Sequence, residues 1–429
     1  MQGSRAQRRL GALGWSVALC AGLLFTPASL ASEGEEGATT RTLAVVDISE
    51  DQKANVEIFR DVIRAVKKHD GYELKDTHVA LNAGAEVEAQ NNIRTAQAFA
   101  TAGIAALAAG DSEDAYDQLD SAASMMQKDF AVLRDPREYR EVLMHLGVAM
   151  LRDGDIDAAQ ATFQRAIVFR AKADALTLTD SERAVFDTAQ AAVSALPLGA
   201  VVIETTPEHA EVYVDGRYRG ISPATVAGLP VGEHLVSVYK AGHARHTAKI
   251  RASAEDLNVL NVDMNAARRQ LQYKQLIDRL QSEVKALDDD NRQGGDGVKS
   301  IGALFYSELA IVSHATGERA EKVVDLTLFH VPTKRLLNRL TAPVDWSVRN
   351  KKAIAKLVGQ LLNIDFVAAM GGATAPADVV ADEGSVLTEW WLWTIVGAVV
   401  AGGVTAGVVL GMPEDAPPPP TSGTLAVRF

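Results

Sequence analysis

A single cysteine in 429 residues excludes a disulfide-stapled scaffold and any cysteine-based zinc cluster. Aromatic residues make up only 6 %, too few for a large aromatic-rich sandwich, and alanine is heavily used. Lys and Arg number 43 against 55 Asp and Glu, so the formal charge of −12 argues against a surface built to neutralise nucleic-acid phosphates. Chemical signatures are equally scarce. There is no Gly-x4-Gly-Lys-Ser/Thr loop, no Gly-x-Gly-x-x-Gly after a strand and no Gly-x-Ser-x-Gly elbow. Ser282 and Lys285 match Ser-x-x-Lys but lack its companion motifs. His243 and His246, three residues apart in a strand-rich stretch, point to opposite faces. The Asp288-Asp289-Asp290 run lacks the alternating oxygens of an EF-hand loop. No catalytic residue, metal ligand or cofactor is therefore assigned, and the chain reads as a non-enzyme.

What is present begins with the two ends. Arg5, Arg8 and Arg9, an apolar run from Leu10 to Leu24, and Ser29-Leu30-Ala31 form a signal peptide over residues 1–31, with cleavage between Ala31 and Ser32. Residues 388–412 contain Trp390-Trp391-Leu392-Trp393 and then an uncharged apolar stretch to Met412. That is long enough to span about 30 Å of hydrocarbon, with its tryptophans at headgroup depth. Gly403, Gly407 and Gly411 recur every four residues and predict helix packing, hence self-association, within the span. A linker (371–387) precedes it and a Pro-rich tail (413–429) follows. These signals predict an exported body, periplasmic and held by one C-terminal helix, in the inner membrane in preference to the outer.

Between the ends the texture changes four times. Residues 40–90 open with TLAVVDI, a buried-strand run, then a helix and a second strand near Tyr72–Leu81. Residues 91–197 are alanine-rich helices with two self-similar stretches. Gly103, Ala115, Leu119 and Ala122 share their offsets with Gly147, Ala159, Phe163 and Ala166, and Gly-Asp turns (110–111, 154–155) sit at both corners. Residues 198–265 switch to period-two alternation, which predicts a small antiparallel sandwich. A charged helix and polar break (266–296) lead to residues 297–370, read as strands at 302–316 and 321–341 with a turn at Pro332-Thr333, closed by a helix from Lys351 to Leu362.

Three resemblances follow. The helical stretch resembles tetratricopeptide repeats, through Leu146-Gly147 and the Ala-x3-Phe-x2-Ala of its second copy. Pro207-Glu208-His209-Ala210, Asp215-Gly216, Gly220, Pro223 and Gly232-Glu233-His234 look like a PEGA domain, with His209 in place of the motif's glycine. Residues 40–90 and 297–370 resemble the α/β domains of TolB amino-terminal and curli-secretion lipoprotein families, which implies one α/β domain split by the two inserted modules. The expected fold is therefore multi-domain α+β: α-hairpins, a sandwich, a split α/β domain and a C-terminal membrane helix.

The combination resembles PEGA and tetratricopeptide proteins of Gram-negative bacterial envelopes. It implies a scaffold or adaptor that binds protein partners through helical repeats and the PEGA module. The alternative is a carbohydrate- or peptidoglycan-binding protein. A glycan is disfavoured because Trp346 is the lone tryptophan of the body, leaving Tyr213, Tyr218 and Tyr239 as the sandwich's platform candidates.

Overall fold

The computed structural model describes residues 40–369, except 134, 288–291, 318–321 and 345–349. The signal peptide and its cleavage site, Trp346, the Asp288–Asp290 run, the linker, the expected span with its three glycines and the tail lie outside the described residues. Among the described residues, no helix is long and apolar enough to cross a membrane.

A five-stranded sheet organises the two distant ends of the body. Its strands are β1 (Arg41–Asp47), β2 (Tyr72–Leu74), β10 (Leu309–Thr316), β11 (Lys322–His330) and β12 (Arg335–Val344), in the order β12-β11-β10-β1-β2. β1 runs parallel to β10 from Leu43↔Leu309 to Asp47↔Ser313, so residues far apart in the chain share one sheet. Leu43, Ala44, Val45 and Val46 are all buried, as expected of a strand covered on both faces. On one face Ala44, Val46 and Val312 meet Tyr273, Leu276 and Leu280 of α8 (Gln270–Lys285) and Val298, Ile301 and Leu304 of α9 (Asp296–Phe305). The other face carries α1 (Lys53–Val66) and α10 (Asn350–Leu362), with the short α11 (Phe366–Ala369) beyond.

Two sequence expectations shift here. Only Tyr72–Leu74 of the second segment is strand, because Asp76 accepts hydrogen bonds from the backbone N–H groups of His78 and Val79 and starts α2 (Thr77–Leu81). Residues 302–305, read as strand, end α9. The cause is Glu283 of α8, whose carboxylate accepts the N–H groups of Gly295, Gly297 and Val298 at 3.0, 2.5 and 3.2 Å and caps that helix. A Cβ on Gly295 or Gly297 would lie within 3 Å of the same carboxylate, which explains the glycines of this break.

The helical insert comprises α3 (Ala83–Ala109), α4 (Ser112–Lys128), α5 (Pro136–Arg152), α6 (Ile156–Val168) and α7 (Asp180–Ala195). α3 starts well before the expected boundary at residue 91. α3–α4 and α5–α6 are antiparallel hairpins built alike. Gly110 and Gly154 turn with positive φ, and Asp111 and Asp155 then cap α4 and α6 through their side chains. A Cβ on Gly103 would sit 2.6 Å from Leu119 Cγ, and one on Gly147 2.5 Å from Phe163 Cε1, so glycine lets each helix pair close. α7 departs from the alternation. Arg152 in the last turn of α5 pairs with Glu182 in the first turn of α7 at 2.8 Å, so α7 starts at the hairpin-turn end and runs parallel to α6.

The sandwich holds seven strands: β3 (Leu198–Thr206), β4 (Glu211–Val214), β5 (Arg217–Ile221), β6 (Ala224–Pro230), β7 (Gly232–Tyr239), β8 (His246–Ala252) and β9 (Asn258–Asp263). They form sheets ordered β6-β3-β9 and β5-β4-β7-β8 around Val201, Ile203, Val212, Val236 and Val238. It is not wholly antiparallel, as the alternation had suggested: β9 pairs with β3 in parallel.

Candidate functional site

The motif residues of the sandwich form two buried polar knots. In the first, the Ser222 hydroxyl accepts the Ala210 N–H at 2.9 Å and lies 2.6 Å from the Thr205 hydroxyl, while the Thr205 hydroxyl donates to the Pro207 carbonyl. Pro207, Ala210 and Pro223 are held around this knot, and Glu208 projects within 4.0 Å of His209 Nε2. His209 takes φ 63°, a left-handed conformation that explains why glycine is the motif's usual residue there. Its ring is kept 3.4 Å from Asp51 of the α/β segment.

In the second knot, Asp215 and Gly216 make the β4–β5 turn, both with positive φ. One Asp215 oxygen accepts the Leu235 N–H, and the other lies 2.6 Å from His234 Nδ1. His234 Nε2 lies 2.7 Å from the Pro230 carbonyl. A carboxylate and a carbonyl can only accept, so both ring nitrogens donate and His234 is an imidazolium. Burial alone would lower its pKa, but Asp215 and Pro230 outweigh burial and raise it above the usual histidine value. Gly220 and Gly232 also have positive φ, so the expected local roles of the motif glycines are visible in the backbone.

The second face of the β5-β4-β7-β8 sheet is the larger feature. Tyr213 stands edge-on to Tyr218 and Tyr239, with ring centroids 5.5 and 5.1 Å away. Each phenol is committed. Tyr213 donates to Glu211, Tyr218 to Glu57 of α1, and Tyr239 to the Ala131 carbonyl beyond α4. The Arg60 guanidinium of α1 stacks 3.4 Å over the Tyr218 ring. Leu235 enters the core of the helical insert beside Phe130, and Arg245 pairs with Asp76 and Glu86. Burial pushes the Glu211 carboxyl up and the Tyr239 phenol to about 12, and it lowers His78, beside Tyr239, to about 4. The three tyrosines proposed as a sugar platform are thus used where sandwich, helices and α/β sheet meet. Alternation showed that this strand face carried tyrosines, but not what covers it.

The helical packing residues are equally interior: Ala115, Leu119, Ala122, Ala159, Phe163 and Ala166 are all fully buried. The His243 ring engages the Ala241 carbonyl and Gln270, and no group of three metal-binding side chains exists among the described residues.

Two features escaped the sequence reading. Asp47, at the carboxyl end of β1, is lifted to about 7 by burial despite hydrogen bonds from Ser49. A cleft of about 370 Å³ between α8 and α9 is lined by Arg269, Gln272, Gln275, Arg279 and Ser300 over Leu276, Ala303 and Leu304. It contains no carboxylate, histidine or thiol, and Ser300 donates to the Asp296 carbonyl, so the cleft offers no acid–base pair. Asp47 carried no local signal, since its state is set by what packs over β1.

A comparison of the chain with curated proteins finds no match. A comparison with family models does, over the segment whose two knots and seven strands have just been described: residues 198–267 are a PEGA domain.

Proposed function

We propose that the protein is a non-enzymatic, envelope-anchored adaptor that binds protein partners through its helical hairpins and its PEGA domain. The observation that carries this reading is the shared contact face. Tyr213, Tyr218, Tyr239, Arg60 and Leu235 couple the PEGA domain to the helices and to α1, so all three present their surfaces from one frame. Such a frame suits holding a partner in a fixed orientation. Exposed apolar side chains on the hairpins, Ile104 on α3 and Ile156 on α6, are the contact points we assign to protein partners. Export, tetratricopeptide-like descent of the hairpins and anchorage by residues 388–412 belong to the same proposal, supported by the sequence signals at both ends. Peptidoglycan binding is the weaker reading, because the aromatic side chains it needs are spent internally.

A photo-crosslinking residue placed at Ile104 or Ile156 in envelopes tests the proposal. A discrete protein adduct, competed away by unlabelled chain, is expected, with no retention of the chain on purified sacculi. Sacculus retention without adducts would overturn it.

A further inference from the structure

The two ends of the helical hairpins carry opposite charge, and although Asp111 and Asp155 cap α4 and α6, neither end is neutralised by ion pairs among the described residues. At the turn end, Asp111, Glu113, Asp114 and Asp117 of the first hairpin and Asp153, Asp155 and Asp157 of the second are exposed. None has a cation within ion-pair distance among the described residues. The cation that is there, Arg152, is taken by Glu182.

The open end is basic. Gly216 of the β4–β5 turn is packed on Pro136, the first residue of α5. That brings Arg217 and Arg219, which share one face of β5, to the helix that carries Arg140 one turn further on. Arg140 in turn donates to the Arg170 carbonyl, just past α6, at 3.5 Å. Arg170, Arg217 and Arg219 have no carboxylate partner among the described residues, and Arg140 has only Glu141 at 3.9 Å. The Nε atoms of Arg140 and Arg219 are buried without a hydrogen-bond acceptor. The carboxylates nearest to the cluster are occupied: Asp215 by His234 and Leu235, Asp135 by Arg137. Burial, with the charges of Arg170 and Arg219, holds Arg217 below the ordinary arginine value. Arg170 also sits with φ 66° at the position after α6 where a helix end favours glycine. A side chain is kept there against backbone preference.

The two ends cannot neutralise each other within one molecule. α4 has 17 residues, about 25 Å of helix, and separates the acidic turn from the start of α5. We propose that the chain assembles head to tail, the arginine cluster of one copy receiving the acidic hairpin turns of the next. Guanidinium groups pair bidentately with carboxylates, and a net charge of −12 on each copy disfavours approach without such sign-complementary faces. The contact is heterologous, so copies add one after another as concentration rises, in an open chain or in a ring where the rotation between copies closes.

Sedimentation of the full chain in detergent tests this. Wild-type mass should rise with concentration at about 0.02 M salt and fall back to the monomer at about 0.5 M, where the screening length is a few ångströms. Arg217→Glu/Arg219→Glu, and separately Asp114→Arg/Asp117→Arg, should each weaken association about tenfold or more. An equimolar mixture of the two should recover it through complementary ends. Arg170→Gly relieves the backbone and should still weaken association, a loss that misfolding cannot explain. A wild-type monomer at low salt, reversals that associate like wild type, or a mixture without recovery would each overturn the proposal. Association through the predicted membrane helix would survive both high salt and the charge reversals, so it is distinguished.

Discussion

Replacing Asp215 by asparagine should invert the pH response of the PEGA domain. In the wild type both His234 nitrogens donate, to Asp215 and to the Pro230 carbonyl, and the ring is 2 % exposed. Its folded pKa lies above the unfolded value of about 6.5. The stability it contributes is therefore fully present below about pH 6.5 and is lost as pH rises through the folded pKa. In Asp215→Asn the new carboxamide would keep an oxygen for the Leu235 N–H but present an amide N–H to His234 Nδ1. The ring would then release its proton, accept at Nδ1 and still donate from Nε2. Every polar group stays paired, so the cost should be only about 1 kcal/mol. The buried ring would now be neutral, and stability would fall as pH drops below about 6.5. Asp215→Ala instead strands a buried imidazolium and an N–H, and should cost about 3–5 kcal/mol. Hydrogen exchange of the 230–240 peptide at about pH 5.5 and 8.5 reads this locally. Comparing wild type with Asp215→Asn cancels His78 and Asp47, which also titrate. A difference between wild type and Asp215→Asn that stays constant across that range would refute the imidazolium.

Gly147→Ala should destabilise the second hairpin by about 1–3 kcal/mol, measured by urea unfolding, because Phe163 is held by the Phe186 ring at 5.6 Å and cannot retreat. Glu283→Ala removes the three-amide cap of α9 and should cost about 2–3 kcal/mol, with Glu283→Gln costing less; equal costs would show that a neutral carbonyl oxygen gives no cap there and that the charge is indispensable. A reporter active only in the cytoplasm, fused after Ala373, should be silent; activity would sink the proposed topology. In a bacterial two-hybrid assay of the span, Gly407→Ile should weaken self-association more than Gly402→Ile, since Gly402 belongs to the neighbouring row of small residues with Ala398 and Ala406, and an unchanged signal for Gly407→Ile would leave the span an anchor only.

How much of this was legible varies with how local the cause is. The matched offsets of Gly103 and Gly147 could be read directly, because a close helix crossing needs a missing Cβ and the residue opposite must be large. The PEGA strands were legible through alternation, and the shared sheet of 41–47 and 309–316 through a family resemblance and through two fragments that each offered too few strands to bury an apolar face alone. The start of α9 was not. Gly302-Ala303-Leu304-Phe305 suits strand or helix equally, and the deciding carboxylate lies on α8. The parallel β3–β9 pairing, the direction of α7 and the fate of the three tyrosines were also hidden, since each depends on a partner far along the chain.

The Thr42 hydroxyl accepts the N–H of Glu308, 266 positions later, and β1 lies between β10 and β2 in its sheet. That geometry imposes an order of events during synthesis. β1 emerges first, yet its partner on one side does not exist until the helices and the PEGA domain have been made. Closing a flexible loop of that length would cost about 5 kcal/mol in chain entropy, a cost that shrinks if the intervening modules fold first and hold their own ends together. The nascent chain therefore carries an apolar strand with one open edge through most of its production, a hazard for wrong edge pairing. Loss of the late strand β10, by a truncation near residue 300, should leave the helices and the PEGA domain folded but β1 seeking other edges. Such a fragment would be expected to aggregate through its oldest residues, not its newest.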